Sequence, residues 1–552
     1  MRTSRLAAVV GTIGLACCAG WTKADEPVRA DAAVHRFDGL GEFGRRITTS
    51  SPDAQAYFDQ GLKFLYAFNH DEAIRAFEQG VKLDPRCAMA WWGIALANGP
   101  HVNNTVVPPD RARRAWEAWQ EADRLTAGAT EVERALIGAL KVRYSPAEVD
   151  DRRPLDEAYA QAMREVWEKF PRDADVGALT AEAWMDLRPW DLWTAAGDPQ
   201  PGTDFVVATL EQVLATAPQH PLGLHLYIHA VEASRQPERA DDEADRLRLL
   251  QPGLGHMVHM PSHIDVRRGR WSESAAANRR AIEADDEYAR HAPSPQFYRV
   301  YMAHNHHMLA YSLMMMGQSR GAIDAIQAMI GDMPSEWIRE NAPLADGFTA
   351  MPLEVLVRFG KWQEILDAPE PPEYLPLARA MRHYARGIAH AALKDVEKAQ
   401  AELKRFEAAR EQVPPDWIFG NNKAHDLLAV AEDLMKGEIL YRRGEVDQGL
   451  AALRRAVELE DQLRYSEPPD WIHPVRHALG ATLLQAGRPE EAETVYRADL
   501  AKLPLNGWSL FGLARSLELQ GKKDEAAGIR AQFEAAWRDA DVQLTSSCFC
   551  QP

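Results

Sequence analysis

Cysteine is scarce in this chain, with five in 552 residues. Two of them, Cys17 and Cys18, fall in the first 24 positions, which leaves Cys87, Cys548 and Cys550. So few thiols cannot staple a chain of this length, and a disulfide-dense scaffold is excluded. Positive charge is short as well. Lys and Arg number 63 against 81 Asp and Glu, for a net charge of −18. No long basic run occurs, which argues against nucleic acid or an anionic membrane as the main partner. Apolar runs long enough to cross a bilayer are missing, so no transmembrane segment is expected. Alternating apolar and polar patterns of the strand type are missing too. The chain has no His-Glu-x-x-His, no Gly-x-Ser-x-Gly and no Gly-rich phosphate loop, so no nucleotide cofactor is expected.

What is present begins with an export pattern. Arg2 and Arg5 precede an uncharged apolar run from Leu6 to Ala19, and Thr22-Lys-Ala24 offers a small-residue cleavage site before Asp25. Residues 1–24 therefore read as a signal peptide, residues 25–50 as a polar lead-in, and the mature chain as periplasmic or secreted. Leu15-Ala-Cys-Cys18 resembles a lipoprotein box, so a lipid anchor through Cys18 is the alternative. The Cys548-Phe-Cys550 tail leaves three readings open: a disulfide, a soft metal ligand or two thiols.

Internal repeats decide the fold class. Ala54 to Cys87 spans one unit with Tyr57, Gly61, Ala73, Phe77, Leu83 and Pro85 in order. Gly437, Leu440, Gly444, Leu453 and Ala456 repeat that order, and so do Gly480, Leu483, Gly487, Ala492, Tyr496 and Pro504. Trp508 to Gly512 opens a last unit. A period of roughly 34 residues with this small, large and Pro punctuation resembles the tetratricopeptide repeat. Small residues let the first helix of a hairpin approach the second, large ones fill the gaps between hairpins, and no hairpin buries its apolar face alone. The expected architecture is an all-α solenoid of this type, a right-handed superhelix of antiparallel helix pairs. Its parts read as N-terminal hairpins over 51–186, an inserted loop and helix over 187–220, central units over 221–336, C-terminal units over 337–540 and a tail over 541–552. Asn103–Asp110 and Arg188–Thr203 read as loops between helices, and Trp190 and Trp193 suggest that the second packs over the groove.

Histidine is unevenly spread. Ten of the 18 histidines fall between His220 and His307. With units starting at 221, 255 and 303, seven of them take three repeat positions: the second (His256, His304), the fifth (His225, His259, His307) and the ninth (His229, His263). Glu232 takes the twelfth. These positions share one face of the first helix of each hairpin, the face that lines the concave groove in proteins of the repeat type. Buried imidazoles each need a partner, and protonated ones repel, so a solvated or core face has no reason to select them repeatedly. Nitrogen ligands suit a transition metal, copper or zinc above all, with iron also accommodated. Met257, Met260, Met308 and Met314–Met316 would tilt the choice toward copper if they were ligands, although Met at helical spacing more commonly fills a core. Glu182, Asp186 and Glu232 are candidate carboxylates, with Glu232 the candidate base should a metal-bound water be used. The other reading of the groove is an interaction scaffold that holds a peptide or protein. Phe68-Asn-His70 and Gly99-Pro-His101 form a weaker cluster that could close the groove.

The strings His225-Leu-Tyr-Ile-His229-Ala-Val-Glu232, Gly255-His-Met-Val-His-Met-Pro-Ser-His263, Phe68-Asn-His70-Asp-Glu-Ala and Ser547-Cys-Phe-Cys550 together resemble a group of exported bacterial tetratricopeptide-repeat proteins. The resemblance spans nearly the whole mature chain. It implies the solenoid fold and export, and supplies no chemistry.

Overall fold

The computed structural model describes residues 34–147, 149–292 and 296–551. The expected signal peptide with Cys17 and Cys18, and the first part of the lead-in, lie outside the described residues. Antiparallel helix pairs succeed one another from Pro52–Tyr66 with His70–Leu83 to Gly507–Leu519 with Lys523–Ala536. This is the all-α solenoid expected from the repeats. Strand among the described residues is confined to a two-residue antiparallel pair, Ile418–Phe419 with Asn422–Lys423, and two isolated bridges. No helix among the described residues is long and apolar enough to cross a membrane.

Local chemistry sets the helix ends. The Ser51 and Asn69 side chains accept from the backbone N–H groups of Ala54 and Glu72, and Thr130 forms a capping box with Glu133. The turn inside several hairpins uses a residue with left-handed backbone, which glycine supplies at Gly317, Gly444 and Gly487 among others. The first hairpin has Phe68 there, at φ 57°. The inserted segment 103–108 lies between Ala88–Ala97 and Pro109–Arg124, and residues 186–202 lie between Ala174–Met185 and Thr203–Thr216. Both insertions thus occupy the same kind of turn as Phe68.

Two hydrophobic cores fill the solenoid, one running from Leu40 to Tyr301 and the other from Val266 to Cys550. They meet along the helices Gly255–His259, Pro261–Arg267 and Arg299–Met315. The C-terminal repeats then curl back onto the centre. The Trp508 indole donates to Met314 O at 2.7 Å, Trp271 donates to Pro504 O at 2.9 Å, and Asp541 N donates to Gly317 O at 3.1 Å. Cys548 and Cys550 form a disulfide, and this tail docks on the C-terminal repeats through Ser547 to His477 O and Gln551 to Glu438. Cys87 is a buried free thiol.

Residues 34–50 strap the N-terminal hairpins together. Gly253 N donates to Gly39 O, Thr48 binds Glu133, and Arg45 pairs with Asp173 and Asp175 at 2.7 Å. Asp175 also accepts from Tyr66 and faces His220. Burial alone would raise the Asp175 pKa, but His220, Arg45 and Tyr66 outweigh it and hold it at about 2. The depressed folded value means that Asp175 contributes stability in full above the ordinary carboxylate value of 3.8, and that this is lost as pH falls toward about 2. The stability of an Asp175→Asn variant, followed by acid unfolding, should therefore run below wild type at pH 5–7 and converge with it as pH falls from 3.8 toward about 2.

Candidate functional site

The helix Pro221–Val231 carries His225 and His229 one turn apart, with Glu232 as its C-terminal cap residue. In the next unit Pro261 lacks the N–H that would continue the ladder, so Gly255–His259 and Pro261–Arg267 are separate helices about Met260. That break presents His256, His259 and His263 inward, and Arg299–Met315 adds His304 from the following repeat.

Six histidines come together as two triads. Ligand nitrogens of His225, His229 and His256 lie within 4.8 Å of one another, and so do those of His259, His263 and His304. Each triad joins the fifth and ninth positions of one unit to the second position of the next. Sequence phase placed His307 among them, but it stands apart: its ring packs near Phe348 and Phe419. It occupies a fifth position whose ninth-position partner is Tyr311, so no third triad can form. Glu182 and Asp186 also lie outside the convergent groups, and Asp186 pairs with Arg143 at 2.7 Å. Met257, Met260, Met308, Met314 and Met315 are buried in the two cores, where they pack; a third convergent group, His229, Glu232 and His263, adds a carboxylate to the imidazoles.

The hydrogen bonds fix the tautomers. His225 Nδ1 lies 2.8 Å from Tyr66 O, a carbonyl that can only accept. His259 Nδ1 lies 2.7 Å from Asn278 Oδ1, and Asn278 turns its amide N–H to Ser274 O. His263 Nδ1 and His229 Nδ1 donate to the two oxygens of Glu232 at 2.6 and 2.7 Å. In the neutral form all four rings therefore carry the proton on Nδ1 and present a lone pair on Nε2. The Nε2 atoms of His259 and His263 nevertheless sit 2.8 Å apart, with His304 Nε2 at 3.0 Å from His259. Two lone pairs at that distance repel unless a cation lies among them. In the other triad His225 Nε2 and His256 Nε2 are 3.2 Å apart, and a proton on the His256 nitrogen satisfies that pair without any ion.

Electrostatics follow the same geometry. Burial first, then the neighbouring imidazoles, holds His225, His256, His259 and His304 well below the ordinary imidazole range. Burial lowers His229 despite Glu232, and lowers His307 to about 3. His263 is the exception: burial lowers it, but the Glu232 carboxylate prevails and its pKa is raised. Glu232 itself is held at about 2, the two rings overcoming its burial. Read from sequence as a base, Glu232 has both oxygens engaged by His229, His263 and the Tyr465 hydroxyl, the position of a group that orients rings.

Several wall residues carry no periodic signal. Asn278 and Tyr66 set tautomers. Tyr465 reaches back from the C-terminal half, its hydroxyl 3.2 Å from Glu232 and 2.9 Å from Glu467, whose carboxyl burial pushes up to about 7. Trp190, suspected from sequence, does close over the groove, 5.2 Å from His229 between ring centroids. Its backbone is left-handed, φ 58°, and so is that of Phe68, whose ring lies 4.4 Å from both His225 and His101. Strain of this kind in bulky residues is uncommon; beside Lys394 and Leu505 it falls on two aromatics that wall the cluster. The His70 and His101 cluster thus meets the main one through Phe68.

A family model described as tetratricopeptide repeat matches residues 58–98 and 477–540. Comparison with curated proteins finds no match. Among solved structures, a human IFIT1 dimer with m7Gppp-AAAA is 12% identical at a TM-score of 0.34, over 89% of this chain and 92% of that one. The APC/C hetero-tetramer Cut9–Hcn1 is 12% identical at a TM-score of 0.32, over 88% and 76%. At these values neither likeness bears on architecture, ligands or partners. Both matched segments fall on hairpins of the described fold, and the chain is a tetratricopeptide-type α-solenoid, an architecture suited to interaction scaffolds.

Proposed function

We propose that this solenoid is an exported metal-binding protein that holds a transition-metal ion between His259, His263 and His304. The observation that carries this reading is the approach of their Nε2 lone pairs while hydrogen bonds keep the protons of His259 and His263 on Nδ1. A divalent ion among the three nitrogens turns that repulsion into three bonds. Glu232 takes the role of a carboxylate behind metal-bound histidine, fixing the tautomer and raising ligand basicity. Zinc and copper suit an all-nitrogen set, and iron(II) also fits. Three protein ligands leave a position for water or substrate, so the site could support metal-dependent chemistry as well as storage or delivery. Export rests on the pattern of residues 1–24. Beside the ion, the repeats offer a groove for a peptide or protein.

The second reading has its own observation. The raised pKa of His263 makes a proton the other cation able to separate the lone pairs, in which case the chain is a metal-free scaffold. Elemental analysis of periplasmically exported protein, beside a His259→Ala/His263→Ala variant of equal helicity, decides between them. The expected result is one or more equivalents of zinc, copper or iron in wild type, lost in the variant. Protein that stays metal-free after reconstitution with each ion would leave the scaffold reading standing.

A further inference from the structure

Two segments of the C-terminal half combine into an arm that reaches the histidine site. Residues 418–423 turn through the short strand pair, and residues 463–474 join the helices Val446–Gln462 and Val475–Gln485. The two are stitched together. Asn422 Nδ2 donates to Arg464 O at 3.0 Å, Asn421 Nδ2 donates to Tyr465 O at 2.9 Å, and Arg464 N donates to Asn422 Oδ1 at 2.8 Å. Asp470 accepts from Asn421 N and Asn422 Nδ2. The arm therefore takes its shape from the C-terminal side.

Its tip meets the other half of the molecule beside the metal ligands. Arg464 donates to Pro189 O at 3.1 Å, next to Trp190, and the Arg267 guanidinium lies 5.6 Å over the Tyr465 ring. Arg464 is exposed, so its bond competes with water and adds little. The buried anchor is Glu232, 1% exposed. Its Oε2 lies 3.2 Å from the Tyr465 hydroxyl and takes the His263 Nδ1 proton at 2.6 Å. That anchor stands in series with a metal ligand. An ion among the three Nε2 atoms fixes His263 at both ends of its ring, Nε2 on the ion and Nδ1 on Glu232. Without an ion, the neutral His259 and His263 turn lone pairs toward each other at 2.8 Å, and rotation of a ring relieves them. When His263 turns, its Nδ1 leaves Glu232, and the carboxylate loses the partner that holds Oε2 toward Tyr465.

We propose that residues 463–470 form a strap across the groove whose hold depends on the ion: occupancy of the site of His259, His263 and His304 fastens the strap, and loss of the ion frees it. The inference rests on the metal reading and gives the ion a regulatory role. Tyr465 and Trp190 line one narrow cavity, so a strap that lifts parts these two walls and opens the groove to a peptide or protein.

The test is tryptic cleavage of the full chain after Arg464, read by mass spectrometry against cleavage after the exposed Lys522 in the last hairpin. Such cleavage follows the population of the opened segment. It is run at about pH 8, where neutral imidazole predominates, with zinc, or with copper(II) if zinc does not bind. The bound ion should slow the cut after Arg464 about 5–150-fold relative to chelated protein, the usual range of coupling between two sites. Tyr465→Phe removes the hydroxyl and touches no ligand. In the presence of the ion it should return the cut to the chelated rate, and it should weaken ion binding, because coupling is reciprocal. An ion that binds and leaves the cut unchanged would overturn the strap while sparing the metal site. Full response to the ion in Tyr465→Phe would overturn it as well, since the hold would not run through Glu232. A chain that binds neither ion takes away the metal reading, and the strap with it.

Discussion

Replacing Glu232 by alanine is expected to weaken metal binding about 10–100-fold and to destabilise the metal-free fold by about 2–6 kcal/mol. The second figure counts two buried imidazole N–H groups left without an acceptor, at about 1–3 kcal/mol each. Glu232 is 1% exposed and takes both Nδ1 protons, from His229 and His263, so water has no ready route to replace it. The Tyr465 hydroxyl loses less, since Glu467 still accepts from it at 2.9 Å. Glu232→Gln separates the two effects. A carboxamide of the same shape can accept from one ring only, and its NH2 meets the other ring's N–H. If that ring is His263, its proton must move to Nε2, which removes a ligand without opening a cavity. Metal titration beside urea unfolding of the chelated protein should show the glutamine variant losing most of the affinity and little of the stability, and the alanine variant losing both. Full affinity in Glu232→Gln would mean that the carboxylate does not set the tautomers.

The hairpins were legible because their packing is local. Phe77 or Tyr496 on a second helix, with a glycine facing it on each neighbouring first helix, repeats at a fixed spacing, and the spacing is the structure. The triads were legible in part for the same reason. Fifth and ninth positions of one helix lie a turn apart, and the sequence places His225 with His229 and His259 with His263. What the period does not encode is the stagger between successive helices. The structure brings position two of one unit against positions five and nine of the unit before, which draws in His256 and His304 and leaves His307 out. Nor does the period encode curvature. Tyr465 touches Glu232 across 233 residues of sequence, and that contact depends on the summed twist of every hairpin between them. Trp190 was visible only as an aromatic in a loop that ought to be polar. Phe68 gave a subtler sign, standing in a turn where other hairpins have glycine, and its strained backbone aims the ring at His225.

An effect on stability of comparable size is expected from the wedges between repeats. Tyr496 is fully buried, and a Cβ built on Gly480 or Gly512 would lie 2.4 or 2.1 Å from its ring. Phe77 stands in the same relation to Gly61 and Gly93, at 2.6 and 2.8 Å. Each ring thus fills the space that two glycines vacate, one on its own hairpin and one on the next. Removing it leaves a cavity that helices on both sides hold open, so Phe77→Ala and Tyr496→Ala should each lose about 3–5 kcal/mol. Tyr496→Phe keeps the wedge and gives up only the 2.6 Å hydroxyl bond to Ser547, a loss of about 0.5–1.5 kcal/mol. In an open solenoid such losses would fray one end, since each repeat contacts only its neighbours. Here the Trp508–Met314 and Trp271–Pro504 bonds tie the C-terminal repeats to the centre. Tyr496→Ala should therefore speed hydrogen exchange in the central helices Trp271–His291 and Arg299–Met315 as well as in the last hairpins. Phe77→Ala should speed it mainly in the first. Exchange confined to the C-terminal hairpins in Tyr496→Ala would show that the curled-back contact carries no cooperativity, and that the histidine helices are held by their own neighbours alone.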